Sequence, residues 1–310
     1  MEAYVVLREE EYPTLLEELK MQLPASQMVY YPLMLSQENL LPKFKAICVD
    51  KWPEFTCVLE VENLADDVSP HRVNAYSKRE ECSVSLHSMI CQLLQKTPSD
   101  ILIYGGPRRM KEIISKSNDS NSSRISASGC CGSKSVQGTE PTDLLIHNAY
   151  RVSKDTLKKS EVPLHFSVTT IKKEHMDLIL SKWKHSEIFS DAKEFFTHTA
   201  TSLESVCILN ESGEPVAWGF EQHYGAIGMV YVLPEYRRKK LGSVVVSILS
   251  EKILRKHAFV YAAIETENTG SISFHKKLGY EECDILVYPE CIFNWFLYEK
   301  EKKGTTKCCQ

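Results

Sequence analysis

Gly228-Met229-Val230-Tyr231-Val232-Leu233-Pro234-Glu235-Tyr236-Arg237-Arg238-Lys239-Lys240-Leu241-Gly242-Ser243 decides how this chain is read. Gly228–Val232 has the composition of a strand, and beyond the turn Val245, Ile248, Leu249 and Ile253 recur on one face of a helix over Val244–Lys256. The chain therefore passes from a strand, through a basic turn, into a helix start. That geometry aims unpaired backbone N–H groups and the positive end of the helix dipole at one point, which suits a phosphate. Arg237, Arg238, Lys239 and Lys240 add charge, and Gly242 lets the backbone come close with no Cβ in the way. The plain alternative is a solvated basic turn that caps an amphipathic helix.

Downstream, Phe259–Ile264 reads as a strand, and Thr269–Leu278 as a helix closed by Gly279. Upstream, Ser205–Leu209 and Val216–Glu221 flank the turn Asn210–Pro215 and predict a hairpin. Before it come a strand-like Leu164–Ile171 and helical patterns at Lys173–Trp183 and Ser190–Leu203. Near the N-terminus, Leu15, Leu16, Leu19 and Leu23 predict a helix over 12–24 that Pro24 ends. Strands are expected at Met28–Leu35, Phe44–Val49 and Phe55–Val61, a helix at Glu80–Leu94, and a short strand at Ile101–Tyr104 before Gly105-Gly106-Pro107. Residues 116–139 are Ser-, Asn- and Gly-rich with too few apolar side chains to offset ordering entropy, which predicts a flexible insertion.

The 310 residues suffice for two domains, with one large α/β domain as the alternative. The expected division is 1–160, 161–300 and a flexible tail at 301–310. A net charge of -4, from 37 basic and 41 acidic residues, leaves no global field for nucleic acid, so any polyanion site is local. No run reaches the about 18 apolar residues of a membrane helix, and the acidic start lacks a secretory pattern; an intracellular chain is expected. The eleven cysteines include the doublets Cys130–Cys131 and Cys308–Cys309 but no CxxC pairs of zinc spacing, so reduced thiols and no metal are expected.

Two motifs together resemble the GNAT superfamily of acyl-CoA-dependent N-acyltransferases. Arg237-Arg238-Lys239-Lys240-Leu241-Gly242-Ser243 is similar to its R-x-x-G-x-G/A turn, with Lys240 in place of the first glycine. Asn268, Ser271, Ser273, Phe274, His275, Lys276, Lys277, Leu278, Gly279 and Tyr280 follow its second motif. Stretches elsewhere resemble the glycine N-acyltransferase family: Leu23–Tyr30, Val49–Phe55, Asp66–Lys78, Gly213–Trp218 and Leu233–Arg237.

The resemblance implies an α/β (α+β) GNAT fold, a GNAT-like N-terminal domain, and transfer of an acyl group from acyl-CoA to glycine or a similar amino acid. It implies cofactor contacts from Val230, Tyr231, Val232, Arg237, Arg238, Lys239, Lys240, Leu241, Gly242, Ser243 and Asn268, the last also expected to cap its helix. It implies a monomer with small-molecule partners, in mitochondria or alternatively the cytoplasm. Enzymes of this family carry a Glu base where an ungapped count gives Ala226, which leaves His223, Glu221 or neither as the base. His275 stands where many GNAT enzymes have a Tyr acid. A CoA-binding protein without transfer, or an acetyltransferase acting on protein amines, are the competing readings.

Overall fold

The computed structural model describes residues 2–41, 46–61, 71–79, 83–96, 101–106, 125–126, 147–183, 192–283, 292–293 and 296–300. The insertion expected at 116–139, apart from Ile125–Ser126, lies outside the described residues, as do both cysteine doublets and the tail at 301–310. In chain order the elements are β1 (Val5–Val6), α1 (Tyr12–Lys20), α2 (Gln27–Gln37), β2 (Ala46–Val49), β3 (Cys57–Val61) and β4 (His71–Ser77). There follow α3 (Ser83–Lys96), β5 (Ile101–Gly105), β6 (Ile125–Ser126), β7 (His147–Ser153), β8 (Ser167–Thr169), α4 (Met176–Ser181) and α5 (Ala192–Ser202). The remainder is β9 (Ser205–Leu209), β10 (Pro215–Glu221), β11 (Ala226–Val232), α6 (Leu241–Ile253), β12 (Phe259–Glu265), α7 (Thr269–Lys277), β13 (Glu281–Glu282), β14 (Ile292–Phe293) and β15 (Phe296–Lys300).

These elements form two compact units, each around its own sheet. One sheet has the order β1-β2-β3-β4-β5-β15-β6 and is antiparallel except where β4 meets β5. Cys57, Leu59 and Val61 alternate onto the face that α3 covers through Leu86, Met89, Ile90 and Leu93. The other sheet has the order β13-β7-β12-β11-β10-β9-β8, with β14 also on β7, and its one parallel pair is β11 with β12. Its core joins Val206, Ile208, Val216, Ala217 and Ile227 to Leu241, Val244, Val245, Leu249 and Ile253 of α6. At about 1.5–3 kcal/mol for each buried aliphatic side chain, this layer is what anchors α6 against β9–β11.

The units interleave in sequence instead of dividing at 160. α1, α2 and β7 belong with the second sheet, and β15 returns to the first. β7 lies between β12 and β13, so a cut between 150 and 165 passes next to, or through, a strand of that sheet. Met28–Leu35, expected as a strand, is helical: Met28 to Leu33 are all buried, and a run apolar on every side carries no period that separates helix from strand. Leu15 and Leu19 of α1 are fully buried as their spacing foretold, but the helix stops at Lys20. The hairpin, the strand before the basic turn, α6, β12 and α7 all form where the sequence places them, within a few residues.

Candidate functional site

β11 changes its pairing halfway along. Ala226 and Ile227 pair in parallel with Tyr261 and Ala262 of β12, and the pairing is not continued beyond Ile227. On the other side, Phe220 faces Gly228 while Trp218 faces Tyr231, so Met229 and Val230 together oppose Gly219. Met229 takes a φ of 50° at this bulge. An extra residue of this kind bends the strand and re-aims its backbone. The amides of Val230, Tyr231 and Val232 thus lie on a stretch of strand that has left its parallel neighbour.

The strand ends in the turn, where Arg237 Nε donates to the Val232 carbonyl at 3.2 Å and the guanidinium lies 5.7 Å from the Tyr231 ring. Lys239 Nζ stands 5.0 Å from the Tyr236 ring. All four cations are exposed, and none is in an ion pair among the described residues. Arg238 and Lys240 both have left-handed backbone, with φ of 68° and 62°. Lys240 thus adopts the conformation that its glycine counterpart takes freely, at a cost of about 1 kcal/mol. The first intrahelical bond runs from Val244 N–H to the Lys240 carbonyl at 3.2 Å, so the amides of Leu241, Gly242 and Ser243 project from the helix start beside the cations.

Gly242 tests whether this cradle fits a phosphate group. A Cβ there would meet its nearest neighbours, Phe274 Cζ and Val232 Cγ2, at 3.6 Å, which is ordinary contact. The fold does not demand a glycine, whereas close approach of a diphosphate to the backbone does. Amides at the helix start, a helix dipole, four exposed cations outside any ion pair among the described residues, and this opening together fit the diphosphate of coenzyme A.

Asn268 caps α7: its Oδ1 accepts from Ser271 N–H at 3.0 Å. His275, on the same helix, is 6% exposed, and its Nδ1 donates to the Ser271 carbonyl at 2.9 Å. Burial holds its pKa below the usual imidazole value, against the raising effect of that bond. The Ser271 bond ties Nδ1 to the helix backbone and fixes the orientation of the ring on α7. Along α7, a shallow groove lined by Lys158, Thr269, Ser273, Lys276 and Lys277 adds further positive charge beside the second motif.

The strand pair divides the expected bases between two faces. A Cβ on Gly219 would stand 2.9 Å from Val245 of α6, while the Phe220 ring meets Phe196 of α5 at 6.3 Å. Alternation then sends Glu221 to the α6 face with Ile227, and Gln222 to the α5 face with Ala226 and Gly228. Glu221 is 5% exposed, and its Oε2 accepts the Glu204 N–H at 3.3 Å. Burial pushes its carboxyl up to about 7, with the Glu204 N–H and Lys256 pulling the other way. It thus sits near the C-terminal end of α6, on the face away from Ala226. His223 is buried edge-on against Phe195 and Tyr224, with centroids at 5.1 and 5.0 Å. Ala226 is fully buried and brings no proton acceptor.

Sequence reasoning passed over Gln222. Its backbone N–H donates to the Ala226 carbonyl at 2.7 Å, and its side chain covers Gly228, where a Cβ would come within 2.8 Å of Gln222 Cγ. No motif marks it; only its register opposite Ala226 does. Among the described residues no group of three or more His, Cys, Asp or Glu side chains is placed to hold a metal, and no helix is long and apolar enough to cross a membrane.

Comparison with known proteins agrees with this geometry. Residues 205–288 match the family described as FR47-like protein, a span that runs from β9 past α7 and holds both motifs. The chain is 25% identical over 261 residues to the glycine N-acyltransferase-like protein Keg1 of Mus musculus, covering 81% of this chain and 85% of that protein. It is 23% identical over 270 residues to the glycine N-acyltransferase of Homo sapiens, with the same shares covered. Among solved structures, a Drosophila protein superposes with a TM-score of 0.73 at 16% identity, covering 96% of this chain and 99% of that one. A tandem GNAT protein from the clavulanic acid biosynthesis pathway gives 0.53 at 12% identity, covering 95% and 97%. The chain is thus similar in sequence to glycine N-acyltransferases and glycine N-acyltransferase-like proteins, and its fold is that of the GNAT structures.

Proposed function

We propose that this chain is an acyl-CoA-dependent N-acyltransferase whose acceptor is the amine of glycine or a similar small amino acid. The observation that carries the reading is the cradle between Met229 and Val244: a strand that leaves its neighbour, then exposed cations, then a helix start with an open glycine. The names of the relatives support the acceptor class.

Acyl-CoA, when bound, supplies a thioester carbonyl open to an amine. Leu241, Gly242 and Ser243 would hold the diphosphate through their amides, and Arg237, Arg238, Lys239 and Lys240 would neutralise it. The amides of Val230 and Val232, which alternate away from β10, would hold the pantetheine arm and polarise the carbonyl oxygen, a task that needs no side chain. Asn268 holds the start of α7 in place through its bond from Ser271 N–H. With Ala226 at the usual base position and Glu221 on the opposite face, His223 is the side chain assigned to the amine proton, since an imidazole exchanges protons near the working pH.

The test is to mix purified protein with a panel of acyl-CoAs and glycine and follow thiol release. Release that depends on glycine supports the reading. CoA binding without release for any amino acid would favour the second reading, a CoA-binding protein without transfer, which Ala226 motivates. Acetylation of peptides in preference to free amino acids would point to a protein acetyltransferase.

A further inference from the structure

Two buried glutamines flank the turn that joins β10 to β11. Gln27 of α2 is 0% exposed, and its Nε2 donates to the Tyr224 carbonyl at 2.8 Å. Its Oε1, also buried, has no hydrogen-bond partner among the described residues. Gln222 is 3% exposed, and there the orphan is the donor: buried Nε2 has no partner among the described residues. Leaving such a group unsatisfied costs about 1–3 kcal/mol, and native interiors rarely keep two of them in one place without a use.

Their position defines the use. Gln222 shares a face with Ala226 and Gly228, one residue before the Met229 bulge and one after the last parallel pair with β12. Gly228 has no positive φ, so glycine is required there by the Gln222 side chain that fills the space of its Cβ. Nearby, Gly225 has a φ of 71°, and the Tyr31 ring occupies the position of its Cβ, which packs α2 onto the turn. One orphan donor and one orphan acceptor complement a molecule that carries a carboxylate and an amine a few bonds apart.

We infer that Gln222 and Gln27 form the acceptor subsite, taking the carboxylate of a small amino acid on Gln222 Nε2 and its amine N–H on Gln27 Oε1. Both amides are closed off in the resting chain, so entry requires Gln222 to swing off Gly228. The vacated volume is that of a short side chain, which selects a small acceptor. This inference rests on the acyltransferase reading and names the acceptor side of the same site.

The experiment compares wild type with Gln222→Met and Gln27→Met, apolar replacements of similar length. Glycine, glycinamide and ethylamine serve as acceptors with an acyl-CoA that the wild type turns over. Calorimetry with CoA, saturation-transfer NMR of glycine on the CoA-loaded protein, and thermal melting complete the set. Gln222→Met is expected to raise the KM for glycine about tenfold and to weaken the glycine NMR signal, as loss of a hydrogen bond to a charged group does. It is also expected to reduce the preference for glycine over ethylamine, to leave CoA affinity unchanged, and to raise Tm because an unsatisfied buried donor is removed. Gln27→Met is expected to weaken all three acceptors alike. An unchanged glycine KM with CoA binding and transfer intact would overturn this inference alone. Absence of CoA binding by the wild type would overturn the acyltransferase reading and this inference with it.

Discussion

Arg237 is tied back to the strand it follows, its Nε donating to the Val232 carbonyl at 3.2 Å. The bond fixes the start of the basic turn and leaves the outer guanidinium nitrogens to face a ligand. Replacing Arg237 and Arg238 together by Ala is expected to raise the KM for acyl-CoA about tenfold or more, with kcat changed less. Both side chains are exposed, so Tm is expected to stay within a degree or two. Steady-state kinetics and a melting curve check both.

Gly242 separates binding from folding. Gly242→Ala adds a methyl group that meets nothing closer than 3.6 Å and removes the glycine cost in the first turn of α6. Stability is expected to hold or rise by up to about 1 kcal/mol. CoA affinity is expected to fall about tenfold, because the methyl enters the space of the diphosphate. An unchanged Kd would make the turn an ordinary helix cap.

Lys240→Gly is the opposite substitution and is also expected to favour the fold. With φ at 62°, Lys240 is strained where glycine is not, so this variant is expected to gain about 1 kcal/mol in denaturant unfolding. The one lost cation is expected to weaken CoA binding only a few-fold. Gly279 shows the reverse case: φ is 94°, and a Cβ would stand 1.9 Å from the Thr156 carbonyl oxygen. Gly279→Ala is expected to cost about 2–4 kcal/mol and to detach α7 from the Thr156 loop.

Glu221 gives a pH dependence of known sign. Its carboxyl titrates near 4.5 in the unfolded chain and at about 7 when buried in the fold. The contribution is complete below pH 4.5 and is lost as pH rises toward 7, because the unfolded chain ionises first. Glu221→Gln is expected to flatten the stability profile across this window, gaining roughly 3 kcal/mol relative to wild type at pH 8 compared with pH 4. Denaturant midpoints at both pH values measure it. Transfer activity at pH 8 is expected to survive, since Glu221 lies on the face away from Ala226.

The C-terminal half of the chain was legible because its motifs are local. A strand, four cations, Gly242 and an amphipathic helix occur within one stretch, and each element forms where periodicity put it. What escaped reading is nonlocal. Met28–Leu33 is buried throughout and has no period to betray a helix. β7, hidden near an expected boundary, is recognisable as part of the second sheet only once it pairs with β12. The same holds at the site: Asn268 announced itself as a cap, whereas the orphan amides of Gln27 and Gln222 arise from residues 195 positions apart brought to one turn. The burial of His275 and its bond to the Ser271 carbonyl are likewise properties of the packed helix that the motif does not carry.

The most direct measurement is calorimetric titration of CoA into the folded wild-type protein at two salt concentrations, with the Arg237→Ala/Arg238→Ala variant alongside. The expected result is saturable binding at one site, weaker in high salt and weaker by about tenfold in the variant. No heat of binding with well-folded wild type, or equal affinity in wild type and variant, would contradict the assignment of this turn to a thioester carrier.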